Sequence, residues 1–167
     1  MTQHGATAHS HGVPIQTRSE RPKSTSVSDF SEIEKTQEIW RYVPIDKLRG
    51  VDSEVMEEVS ASDFEIKASE GVVTRWIDSS DPLVGSAGLP EDRVAAAAWT
   101  NASKTLVIEV AANTELAEPL FVKLAPGAKT KAAHLLFVIK KHAKATIVLD
   151  HVGLAALAEV VELVLED

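Results

Sequence analysis

Leu106-Val107-Ile108-Glu109-Val110, Leu120-Phe121-Val122-Lys123-Leu124, Leu135-Leu136-Phe137-Val138-Ile139, Thr146-Ile147-Val148-Leu149 and Val160-Val161-Glu162-Leu163-Val164-Leu165 follow one another in a single stretch. Each run has strand length and is rich in β-branched or large apolar residues. They begin 11 to 15 residues apart, with Asn113, Pro126-Gly127, Lys141-His142 and Gly153 between them. That spacing leaves no room for crossover helices and predicts a stack or sandwich of strands. The runs are almost continuously apolar, which suits parallel strands covered on both faces. Only Glu166-Asp167 follows the last run, so the sheet reads as one cut part-way through.

Working outward, the chain has 167 residues, the size of one domain or one domain with a tail. It has no cysteine, so there is no disulfide framework and no thiolate nucleophile or metal ligand. No run of roughly 18 apolar residues is present to span a membrane. Met1-Thr2-Gln3-His4-Gly5 lacks the basic-then-apolar pattern of a secretory signal. The expectation is a cytoplasmic protein with no membrane partner.

The formal net charge is −8, and it is concentrated between Asp29 and Ser103, where 16 acidic residues face 7 basic ones. An acidic body argues against nucleic acid, whose phosphates need a basic surface. Residues 1–28 hold few large apolar side chains and read as a disordered tail. His4, His9 and His11 lie in it, and flexible imidazoles of this kind make a poor metal site.

Residues 29–50 read as an N-terminal helix and turn. Asp29 and Glu32 have capping-box spacing, Phe30, Ile33, Gln37 and Trp40 share a side, and Pro44 ends the helix near Tyr42. Residues 51–95 read as a hairpin and loop cap, with Phe64-Glu65-Ile66 paired to Val72–Ile77. A second short helix is expected from Glu91 to Ala98, carried by Ala95-Ala96-Ala97-Ala98. Residues 96–167 form the strand core.

Catalytic patterns are absent. The chain has no phosphate loop, no Gly-x-Gly-x-x-Gly turn, no Gly-x-Ser-x-Gly elbow and no His-Glu-x-x-His helix. The body histidines are His134, His142 and His151. Asp150-His151 resembles a polarised base, but neighbours on a strand face opposite sides. Structural or solvated roles are expected for all three.

Glu38-Ile39-Trp40-Arg41-Tyr42-Val43-Pro44-Ile45-Asp46-Lys47-Leu48 resembles the opening motif of the SufB/SufD family of iron–sulfur cluster assembly proteins. Asp92-Arg93-Val94-Ala95-Ala96, Ala117-Glu118-Pro119-Leu120 and Ala145–Gly153 resemble the start of that family's core. The similarity is greatest to SufD of the actinobacterial kind. The resemblance implies a right-handed parallel β-helix, of which this is the opening part, after a short helical region. It implies a scaffold subunit and not an enzyme, working with a SufB-like subunit and a SufC-like ATPase. The iron–sulfur cluster would rest transiently on the full complex, with no cofactor in this chain. The family's cluster-proximal and partner-binding residues lie in its later part, so no catalytic, cofactor-binding or metal residue is assigned here. Absence of cysteine fits SufD better than SufB. Lys140-Lys141-His142-Ala143 departs from a turn that often holds glycine in the family.

Two other readings stand beside this one. A cupin-like β-sandwich enzyme would hold a metal with His134, His142 and His151, although its usual His-x-His pair occurs only in the tail. A free-standing module would add its strands to a partner's sheet. The last strand is expected to present an unpaired edge and drive self-association, with Glu159, Glu162 and Glu166 as weak like-charge protection.

Overall fold

A computed structural model describes residues 21–67 and 69–167. The strands are β1 (Glu57–Glu58), β2 (Phe64–Ile66), β3 (Val72–Asp78), β4 (Lys104–Val110), β5 (Leu120–Leu124), β6 (Lys131–Ile139), β7 (Ile147–His151) and β8 (Leu157–Leu165). The single α-helix among the described residues, α1, runs over Arg93–Asn101, between β3 and β4. All five apolar runs are strands, and β6 and β8 begin three or four residues before the runs do.

From β4 onward the chain alternates between two sheets. β4, β6 and β8 lie in the first, β5 and β7 in the second. Each return lands parallel to the strand laid down one lap before. Leu106 pairs with Leu135, Leu120 with Ile147 and Lys131 with Leu157, so a lap takes 26 to 29 residues. The earlier strands close the front. β3 pairs antiparallel to β4, β2 antiparallel to β5, and β1 lies parallel beside the first residues of β6.

The corners of successive laps stack. Asn113 after β4 and His142 after β6 both take left-handed backbone, with φ of 59° and 60°. The Asn113 N–H donates to the Lys141 carbonyl at 3.0 Å. Asn tolerates this conformation, and His is among the few other side chains enriched there. The Lys-Lys-His-Ala turn thus makes, with His142, a corner where glycine would sit without strain.

The side chains follow from the pairing. Leu106 and Ile108, Leu120, Val122 and Leu124, and Ala133, Leu135 and Phe137 face inward and form the main core between the sheets. The other face of the first sheet is covered by α1 and by residues 79–92, with Leu136, Val138 and Val164 packed against Ile77 and Leu83. Asp92 caps α1 by accepting from the Ala95 N–H at 2.9 Å. The alanine run then lets the helix backbone approach closely, and Ala96, Ala97 and Ala98 are wholly buried.

Four expectations are corrected. Asp29–Tyr42 is not an α-helix. Single 3₁₀ turns span Val27–Asp29, Glu38–Trp40 and Ile45–Lys47. The stretch has too few apolar residues for a buried helical face. In addition, Arg93 donates to the Val27 and Phe30 carbonyls at 3.3 and 2.7 Å, holding the backbone in another shape. Phe64–Ile66 and Val72–Ile77 form no hairpin, because β2 joins the second sheet and β3 the first. Each pairs with the apolar strand opposite it, which buries more than a two-strand ribbon would. The short helix begins at Arg93 and not Glu91, and it continues past Ala98 to Asn101. The described end of the tail, residues 21–28, is docked. Val27 is buried, and the Ser24 N–H donates to the Pro90 carbonyl at 3.1 Å. His4, His9 and His11 lie outside the described residues.

Candidate functional site

The most distinctive surface is the open end of the two sheets. The second sheet supplies β5 opposite β4 and β7 opposite β6, but among the described residues it has no strand opposite β8. The inward side chains of β8 therefore meet solvent. Val161, Leu163 and Leu165 are 45%, 54% and 67% exposed, while their neighbours one strand back, Leu135, Phe137 and Ile139, are covered or nearly so. With Ile147 and Leu149 of β7 they line a groove of about 540 Å³. Covering the exposed half of one such side chain contributes on the order of 1 kcal/mol, so the row favours cover by apolar side chains. Among the described residues β8 also has one edge with no strand beside it.

A polar clamp holds the opposite face of β8. Glu162 points outward and is buried. It accepts from the Gly85 N–H at 2.9 Å, from the Ala87 N–H at 3.3 Å and from His134 Nε2 at 2.8 Å. His134 is buried on β6 and rests against Trp99 of α1, with ring centroids 4.4 Å apart. Burial alone would push the Glu162 carboxyl up. Hydrogen bonds from His134, Gly85 and Ala87 together outweigh it and hold the group below the ordinary carboxylate range. Gly85 has φ of 84°, and a Cβ there would stand 3.3 Å from the Trp99 ring, so glycine lets the loop settle onto helix and strand.

A second polar pair sits inside the open end. His151, the last residue of β7, faces inward, and its Nε2 lies 3.0 Å from Glu159 Oε2 on β8. The other carboxylate oxygen, Oε1, is buried with no hydrogen-bond partner among the described residues. Burial raises the Glu159 carboxyl above its ordinary value, and His151 opposes that only in part.

The three body histidines are thus dispersed. His134 faces the helix layer, His142 forms a corner and His151 faces the sheet interior. Among the described residues no group of three or more His, Cys, Asp or Glu side chains is placed to hold a metal ion. Asp150 and His151 point to opposite faces of β7. The glutamates expected as edge protection are each engaged elsewhere: Glu159 with His151, Glu162 with His134 and Glu166 with Lys140 at 2.6 Å. These pairings were not legible because they depend on the register of β8 against β6 and β7.

The chain is 31% identical over 169 residues to proteins of Mycobacterium bovis and Mycobacterium tuberculosis, a match covering 100% of this chain and 42% of each relative. A Mycobacterium leprae protein is 29% identical over 131 residues, 77% of this chain and 33% of that relative. All three are iron–sulfur cluster assembly SufBD family proteins. The relatives' shared name agrees with the family resemblance of the Trp40 motif and the core stretches. The chain spans 42% of the length of the first two SufBD proteins. No protein-family model and no solved structure matches the chain. No helix among the described residues is long and apolar enough to cross a membrane.

Proposed function

We propose that this chain is the front of a SufBD-type scaffold subunit, of the SufD kind, that serves iron–sulfur cluster assembly. In this reading the alternating laps are the first coils of a right-handed parallel β-helix, the hand that parallel crossovers take almost without exception. The observation that carries it is the open groove above Val161, Leu163 and Leu165. A coil that leaves its inward residues uncovered on one strand calls for another strand there. SufBD relatives more than twice as long are where such strands would be found.

The chain acts as a support and not as an enzyme. The cluster is cargo of the assembled complex, reached through a SufB-like subunit and a SufC-like ATPase, in the cytoplasm. The lack of cysteine favours the SufD side of the family. The test is co-expression of the tagged protein, as its genome encodes it, with the SufB-like and SufC-like subunits. Co-elution of all three, with iron and sulfide bound after reconstitution, is expected. A folded protein that elutes alone overturns the reading.

A further inference from the structure

Across the open end of the sheets, His151 comes from the second sheet and Glu159 from the first. Nothing in the scaffold reading calls for this pair. From its geometry we propose that it binds a divalent transition-metal ion of the zinc, cobalt(II) or iron(II) class.

Three observations converge. The first is spacing. Metal–nitrogen and metal–oxygen bonds for such ions are about 2.0–2.2 Å. With His151 Nε2 and Glu159 Oε2 3.0 Å apart, an ion bonded to both subtends about 90° between them, the angle of adjacent octahedral ligands. An opening of a few tenths of an ångström brings the pair to tetrahedral spacing. The second is the orphan acceptor. Glu159 Oε1 is buried with no partner, which costs roughly 1–3 kcal/mol while it stays unsatisfied. A water bound to the ion can donate to it, or the carboxylate can take the ion with both oxygens. The third is room. The pair opens on a cavity of about 320 Å³ walled in part by Pro126, Val152 and Gly153, ample for the waters that would complete the ion's shell.

Imidazole nitrogen with carboxylate oxygen is a donor set these ions accept, whereas calcium and magnesium prefer oxygen alone. Asp150 does not join the set, because it faces the outer side of β7 and interacts with Lys123. The protein therefore supplies two ligands and leaves the remaining positions to water. The site is an open one, and it ties β7 to β8 across the interior.

Cobalt(II) is the probe, because its paramagnetism locates the ion. His4→Ala, His9→Ala and His11→Ala are introduced first, to remove the tail imidazoles as competitors. In that background the titration should saturate at one ion per chain, with pseudocontact shifts centred between His151 and Glu159. His151→Ala and Glu159→Gln should each weaken binding by at least about tenfold. His142→Ala should leave it unchanged, and amide spectra will verify that each variant is folded. Shifts centred elsewhere, or no saturable change up to millimolar cobalt, would overturn the assignment. So would binding that survives both ligand substitutions. Because the shifts are read on a chain with both ligands intact, a variant that fails to fold does not rescue or sink the proposal. The outcome is also separate from co-elution with scaffold partners.

Discussion

Glu162 of β8 and His134 of β6 meet at 2.8 Å beneath α1, and the same carboxylate gathers two backbone N–H groups from the loop at Gly85 and Ala87. One side chain thereby joins two strands and a loop, and His134 carries the contact on to Trp99 of α1. Glu162→Ala leaves His134 and the loop donors unpaired in a buried site. It is expected to lower stability by about 2–4 kcal/mol. Glu166→Ala, which removes a more exposed partner of Lys140, should cost less than about 1 kcal/mol. Urea unfolding of the two variants checks the contrast, and equal losses would show that the clamp is not special.

Two glutamates three residues apart should respond to pH in opposite directions. Glu162 is held below the ordinary carboxylate range in the folded protein, so its contribution is present above the unfolded value and is lost as pH falls through the folded one. Glu159 is held above its ordinary value, so its contribution is present at low pH and is lost as pH rises through the folded value. The deficit of Glu162→Gln against the parent should therefore shrink on acidification from neutral pH. The relative stability of Glu159→Gln should improve as pH rises toward neutral. Chemical denaturation of both variants across the acid range measures this, and parallel trends would refute it.

Gly71 precedes β3 at φ of 79°, and a Cβ there would stand 2.6 Å from Thr114 Cγ2. Gly71→Ala combines a left-handed backbone penalty of about 1–2 kcal/mol with a steric clash. Thr114→Ala added to it should recover the clash and leave the backbone penalty. Thermal unfolding of the single and double variants separates the two parts.

The free edge of β8 should pair copies of this chain as concentration rises. The obvious interruption, Val164→Pro, strikes the wrong side of the strand. Glu166 donates its N–H to Ile139 of β6, and alternate residues of a strand share a direction, so the Val164 N–H also faces β6. Val161 and Leu163 donate toward the open edge. Val161→Pro should weaken self-association without unzipping β6 from β8. Sedimentation equilibrium tests this, and a strict monomer at millimolar concentration would dismiss the edge as a contact.

The strand core was legible because each run combined β-branched residues with near-continuous apolar character, and parallel pairing followed from that. Local signals misled where few apolar residues backed them. The capping-box spacing at Asp29 and Glu32 was real as a pattern, but the segment had few apolar side chains for a helical face, and Phe30 packs against Val27 and the alanines of α1 instead. β2 and β3 looked like hairpin partners because they are neighbours in sequence, yet stronger apolar strands elsewhere claimed each of them. At the site, the histidines were visible and their partners were not. His134 lies 28 residues from Glu162, and only the parallel register of β8 against β6 brings them together.

The two ends of this stack are unlike. At the front, β3 turns antiparallel and carries Arg75 in an ion pair with Glu109, and the second sheet begins with the three-residue β2. At the other end, β8 offers a long apolar row and a bare edge. Two copies that meet through β8 would each present the same row and edge to the other, an isologous contact about a twofold axis.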